Sequence, residues 1–136
     1  MSMKPLLLVL IFFVLAGDKI RIENAWLRPS SRGFNSALYF DVKNGTDFPD
    51  TLYKVESDLA KLVQIHETYK KGDKMGMREV KKVGIKPHSI FSFKPGGHHI
   101  MLIKLQKDLK EKSSGEVTLY FKSAGKIKLK VPVKKG

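Results

Sequence analysis

Four residues, His66, Met77, His99 and Met101, carry the chemistry this sequence offers: two imidazoles and two thioethers, arranged as two His/Met pairs. The second pair lies in PGGHHIMLIKL, residues 95–105, where Ile100, Leu102, Ile103 and Leu105 read as a buried strand. Successive residues of a strand point to opposite faces, so His99 and Met101 share one face while His98 and Ile100 share the other. The first pair brackets a hairpin. A two-residue turn at Lys71-Gly72, with glycine taking the positive φ of a type I′ turn, sets His66 directly opposite Met77. Directly opposed residues of an antiparallel pair point to one face with Cβ atoms roughly 4.5–5.5 Å apart, so imidazole and thioether there can reach one metal ion. Met75 shares that face and is at most an auxiliary donor. Thioether sulfur is soft and selects Cu(I) over Zn(II), Mg(II) or Ca(II), and imidazole suits copper as well.

Taken singly, each of these residues has a duller explanation. A lone methionine usually fills a core, and a lone histidine at a strand end is usually a hydrogen-bonded or surface residue. The two pairs together point to a metal. HETYK, residues 66–70, starts like a zinc-protease helix but has Lys70 where the second histidine belongs, in a strand context. His88 and His98 read as surface or structural residues, and Glu67 points away from His66 by strand alternation. No nucleophile–base pair, catalytic carboxylate pair or phosphate-cradling loop is visible, so the sequence does not read as an enzyme.

The elements that must position these donors are short strands. Runs at 19–28, 36–43, 51–56, 62–70, 74–82, 89–94, 98–105, 116–123 and 126–133 alternate or are apolar, and turn residues such as Asn44-Gly45, Pro95-Gly96-Gly97 and Ser113-Ser114-Gly115 separate them. Residues 57–61, SDLAK, read as one helical turn. Strands this regular without intervening helices imply an all-β fold, a single-domain antiparallel β-sandwich or Greek-key barrel.

Composition sets the remaining bounds. The 136 residues suffice for one core, and 42% apolar content argues for a globular domain. MSMKPLLLVLIFFVLAG has a charged start, an apolar run from Leu6 to Leu15 and small residues after it, the pattern of a secretory signal peptide at residues 1–16 or up to 18. Cleavage is expected after Ala16, leaving a domain over 19–136; a retained anchor is the alternative. LAGD resembles a bacterial lipoprotein box with Asp18 in place of cysteine. The sequence has no cysteine, so neither thioether lipidation nor disulfides are available. Twenty-six Lys and Arg against 13 Asp and Glu give a net charge of +13, spread along the chain without a helical basic stripe or an RNA-binding signature. This reads as a solvated basic surface suited to acidic partners or anionic lipid rather than to nucleic acid.

The sequence resembles the periplasmic PCu(A)C-type copper chaperones. Their signature is His, ten residues, Met, twenty-one residues, His, any residue, Met, and His66, Met77, His99 and Met101 match it at every position. AWLRP at 25–29, HETY at 66–69, the PGGHHIMLIKL stretch and VPV at 131–133 are also similar, so the likeness runs over about residues 20 to 134. It implies a cupredoxin-like β-barrel that binds Cu(I) near its surface and delivers it to an extracytoplasmic acceptor, the CuA centre of cytochrome c oxidase, in some cases with a thiol-redox partner protein. Some members carry a His- and Met-rich C-terminal extension; with VPVKKG at residues 131–136, the second copper site of those members is not expected here. The competing expectation is a metal-free exported β-sandwich that acts as an interaction module.

Overall fold

The structure is a computed structural model that describes residues 19–136. The signal peptide expected at 1–16, or up to 18, lies outside the described residues. Ten strands follow in order: β1 (Ile20–Leu27), β2 (Ser36–Asn44), β3 (Asp50–Glu56), β4 (Ala60–Lys71), β5 (Lys74–Glu79), β6 (Val83–Ile85), β7 (Ser89–Phe93), β8 (His98–Leu105), β9 (Ser114–Phe121) and β10 (Gly125–Pro132). One sheet runs β1-β2-β8-β4-β5, with β7 also paired to β2; the other runs β10-β9-β3-β6. This is the all-β, single-domain antiparallel sandwich that the strand spacing led us to expect, with the cupredoxin-like character that the family resemblance implies.

Alternation explains why two sheets form. On β2, Leu38, Phe40 and Val42 point inward; on β8 Ile100 and Leu102, and on β9 Val117, Leu119 and Phe121, do the same, and all are at most 2% exposed. They join one continuous apolar cluster between the sheets. Phe40 and Phe93 are register partners on β2 and β7, and their rings stack at 4.5 Å. With no disulfide available, this cluster alone holds the fold, and removing a fully buried ring is costly. Phe93→Ala is expected to cost about 3–5 kcal/mol in chemical denaturation. A loss below 1 kcal/mol would contradict its place in the core.

Local chemistry tunes the strand that carries the second His/Met pair. Lys94-Pro95-Gly96-Gly97 forms a β-turn in which Gly97 N–H donates to the Lys94 carbonyl at 2.9 Å and Gly96 has φ +84°. Proline followed by a positive-φ glycine is what a type II turn demands. At the other end, Lys104 takes φ +58° and its N–H donates to Asn35 Oδ1 at 3.0 Å. This positive-φ residue breaks the inward–outward alternation without shifting the pairing with β4, leaving the Lys104 charge exposed and Leu105 in the core.

Three local expectations are corrected. Residues 57–61 form no helical turn: Ser57 Oγ accepts from Leu59 N–H at 3.2 Å, closing a tight turn before β4 begins at Ala60. A serine side chain competing for backbone N–H groups disfavours helix there. The run 74–82 is not one strand; β5 ends at Glu79, and Val83–Ile85 crosses to pair with β3 in the other sheet. Burying Val83 and Ile85 there outweighs continuing a strand through the exposed Lys81-Lys82. The third correction concerns the hairpin register. The turn residues are Gly72 and Asp73, with Lys71 opposite Lys74, so Met77 faces Thr68 and His66 faces Glu79. Gly72 has φ +62° whereas Asp73 is not among the positive-φ residues, which fits a type II′ turn with glycine first rather than type I′.

Candidate metal centre

Moving a hairpin turn by one residue moves each partner by two, and side chains repeat their face every two residues. His66 and Met77 are therefore diagonal rather than direct neighbours, yet they still share one face. Diagonal positions lie about 7–8 Å apart, within reach of a long, flexible side chain. Across the sheet His66 is directly opposite His99, and Gln64 is opposite Met101; Ala37 of β2 flanks Met101 from the other side. All four sequence-predicted residues thus sit on adjacent strands, β8, β4 and β5, on the outer face of the larger sheet, away from the core.

That face is not simply wet. Ala37 and Tyr39 are each only 5% exposed and form a floor. Trp26 packs on Tyr39 at 4.7 Å, Arg28 lies over the same ring at 5.4 Å, and Tyr39 lies 6.4 Å from the His99 ring. Ala37, Tyr39 and Arg28, together with Pro95, Gly96 and Thr68, shape a shallow pocket lined by His99, Met101 and Met77. The two imidazoles stand 5.7 Å apart, centroid to centroid. Met77 is 54% exposed and forms the rim. Met75, opposite Lys70, is 67% exposed and lies one step farther from His66, outside the pocket lining.

The hairpin is held from its reverse side. Tyr69 is opposite Gly76, and its ring occupies the space where a Cβ on residue 76 would fall, at 2.8 Å. Arg78 stacks over Tyr69 at 4.8 Å and donates to Glu67 Oε1 at 2.7 Å; Glu67 also contacts His98 at 3.4 Å. A glycine between Met75 and Met77 is thus what lets Tyr69 clamp β5 onto β4. His98 and Glu67 lie on this reverse face, and His88 pairs with Asp47 at 2.6 Å far from the pocket.

Among the described residues, two buried side-chain nitrogen or oxygen atoms lack a hydrogen-bond partner, and both are imidazole nitrogens of the facing pair: Nε2 of His99, which lines the pocket, and Nδ1 of His66, which stands opposite it on β4 just behind the lining. Leaving a buried polar atom unpaired costs about 1–3 kcal/mol, so such atoms call for an explanation. The other nitrogen of each ring is engaged. His99 Nδ1 donates to the Gly97 carbonyl at 3.3 Å, and His66 Nε2 donates to Gln64 Oε1 at 2.8 Å. Metal-binding histidines are typically oriented in this manner, by a hydrogen bond from the remote nitrogen. Burial holds the His66 imidazole below its ordinary pKa, against the opposing pull of the Glu79 carboxylate. Burial likewise lowers His99, with the Gly97 carbonyl opposing and His66, Arg28 and His98 adding to the shift. Both rings therefore stay neutral at a pH where free histidine begins to protonate.

Among the described residues no group of three or more His, Cys, Asp or Glu side chains could hold a metal. What the pocket offers is two neutral nitrogens and thioethers, a set that fits a soft monovalent ion and lacks the anionic ligands common at divalent sites. The sequence reading missed Gln64, Tyr39, Arg28 and the rim carboxylate of Glu79. Strand alternation alone would have put Gln64 on the face of His66, two residues away on β4. Tyr39, Arg28 and Glu79 could not have been found by spacing, because each reaches the site through a strand pairing or a register set by the fold.

The lowered imidazoles have a consequence for stability. Each binds a proton more readily in the unfolded chain, so their contribution is full above about pH 6.5 and is lost as pH falls through the folded values. The denaturation midpoint of the metal-free protein is expected to drop on acidification below about pH 6.5, and less so in a His66→Gln, His99→Gln double variant. An unchanged pH slope in the double variant would exclude these two groups as its source.

Fold and pocket together define a class: antiparallel β-sandwiches that display a His/Met donor set on the outer face of one sheet. Residues 20–133 match the family described as putative lipoprotein LpqE-like, and the chain belongs to that family. It is 32% identical over 118 residues to the putative lipoprotein Lxx21020 of Leifsonia xyli subsp. xyli, covering 86% of this chain and 70% of that protein. Among solved structures, the copper-bound PCuAC domain from PmoF2 is similar with a TM-score of 0.73 and 30% identity, over 87% of this chain and 94% of that domain. The apo PCuAC domain from PmoF1 gives a TM-score of 0.75 and 27% identity, over 87% and 95%. The likeness to PCuAC-type domains read from the ligand spacing thus extends to the whole fold.

Proposed function

We propose that this protein is an exported Cu(I) carrier that holds its cargo between His66, His99, Met77 and Met101 and hands it to an extracytoplasmic acceptor, the CuA centre of cytochrome c oxidase. The observation that carries this reading is the pair of buried, unpartnered nitrogens, His66 Nδ1 and His99 Nε2, on one face with two thioethers. The copper bound by the similar PmoF2 domain supports the choice of metal, and the lipoprotein description of the family supports an extracytoplasmic location. The role is that of a carrier rather than a catalyst. Thioethers are neutral and exchange without proton transfer, and the half-exposed Met77 is the donor an incoming acceptor ligand reaches first. A thiol-redox protein that keeps the acceptor reduced fits as a further partner. The basic surface favours an acidic docking face on either partner or an anionic membrane surface.

The purified metal-free protein, titrated with Cu(I) under reducing conditions against a chromogenic Cu(I) chelator, is expected to retain one equivalent and to keep it when challenged with Zn(II). Equal or tighter Zn(II) binding, or no Cu(I) retained, would overturn the copper reading and favour a metal-free interaction module. Mixing the loaded protein with a candidate CuA domain then tests the acceptor.

A further inference from the structure

A neutral imidazole has one N–H and one lone pair, so the ring nitrogen that bears the proton cannot bind a metal. For His99 the main chain decides. The Gly97 carbonyl can only accept, so Nδ1 carries the proton and Nε2 keeps the lone pair. His66 differs, because the partner of its Nε2 is a side chain, Gln64.

We infer that Gln64 is a positioning residue for the site: its amide oxygen fixes the tautomer and orientation of the His66 ring, making Nδ1 the nitrogen that His66 offers to copper. This rests on the copper reading above. Gln64 precedes His66 by two residues on β4 and so shares its face, and it stands opposite Met101 on β8. Its half-buried side chain therefore lies beside the His66 ring, and the 2.8 Å contact from His66 Nε2 to Oε1 leaves Nδ1 buried and unpartnered. The two histidines then present different nitrogens, Nδ1 from His66 and Nε2 from His99, toward one pocket.

The amide is suited to this task by what it lacks. A lysine at position 64 would donate to Nε2 and drive the ring proton onto Nδ1, blocking the metal-facing nitrogen. A glutamate would hold the same tautomer but place a hard, anionic oxygen beside the site, favouring divalent ions over Cu(I). A neutral acceptor orients the ring without changing the softness of the donor set.

The test uses the full chain and two readouts. In the metal-free protein, long-range nitrogen–proton NMR is expected to show His66 protonated at Nε2 with a slowly exchanging N–H, and His99 protonated at Nδ1. Gln64→Leu, similar in size but without an acceptor, is expected to lose the slow exchange at His66 and to weaken Cu(I) binding by about 10–100-fold, the usual cost of removing an outer-shell partner. Gln64→Glu is expected to restore the His66 signal and most of the Cu(I) affinity, while binding Zn(II) more tightly than wild type. Wild-type His66 protonated at Nδ1, or Gln64→Leu binding Cu(I) as tightly as wild type, would overturn the inference. If the wild-type chain retains no Cu(I), the copper reading fails, and the NMR of the metal-free protein still decides whether Gln64 holds His66.

Discussion

Cu(I) retention is expected to collapse in His99→Ala and to persist near wild type in His98→Ala, although the two residues are adjacent. His99 is 4% exposed, with an unpartnered Nε2 turned to the pocket. His98 points to the other face of β8, where its ring meets Phe91 edge-on at 5.1 Å and Nε2 lies 3.4 Å from Glu67. Losing a direct ligand should cost more than the roughly 10–100-fold typical of an outer-shell partner. The metal-free stability of His99→Ala should change little for so buried a residue, because removing an unpaired polar atom recovers about 1–3 kcal/mol against the packing lost. Chelator competition paired with thermal melts of the metal-free variants checks both parts. Equal losses of Cu(I) in the two variants would mean that β8 presents the opposite face.

The second large effect is expected at the hairpin. Met77→Leu and Met101→Leu keep volume and hydrophobicity but remove the soft donor, so Cu(I) affinity should fall by an order of magnitude or more while the melting temperature without copper stays put. Met75→Leu should leave affinity almost intact, because Met75 sits one step beyond Met77 on the exposed hairpin, opposite Lys70 and outside the pocket. The comparison is sharp because Met75 and Met77 share a strand, a face and a chemistry. A loss in Met75→Leu equal to that in Met77→Leu would shift the site outward along the hairpin.

The hairpin also shows how far a sequence can be read. Glycine at position 72 announced the turn, since a two-residue β-hairpin needs a residue that tolerates positive φ. It did not announce whether the glycine comes first or second. Lys71-Gly72 and Gly72-Asp73 are both plausible pairs, and choosing the former set His66 opposite Met77 when Glu79 is its true partner. The face survived because side-chain direction has a period of two, so a shift of the turn by one residue leaves parity intact. In PGGHHIM the signals agreed: Pro95 and Gly96 specify the turn, and alternation alone separates His98 from His99. The short strand β6 escaped notice because three residues carry too little pattern, and only pairing with β3 defines it.

What the sequence determined by itself was therefore local and periodic. It set the all-β class, the soft character of the donors, the face on which His66, Met77, His99 and Met101 each stand, and the reliance on an apolar core in a chain without cysteine. Tertiary structure decided everything that depends on which strand lies beside which. It placed β8 between β2 and β4, so that His66 meets His99 across a strand pair and Ala37 and Tyr39 of β2 build the floor of the pocket beside them. It set Gln64 opposite Met101, and it buried two imidazole nitrogens without giving them partners. The physical reason is that periodicity is a property of a single strand, whereas burial and hydrogen-bond satisfaction are properties of its neighbours. Strand order is settled by the packing of the whole apolar core, to which no stretch of ten residues holds the key.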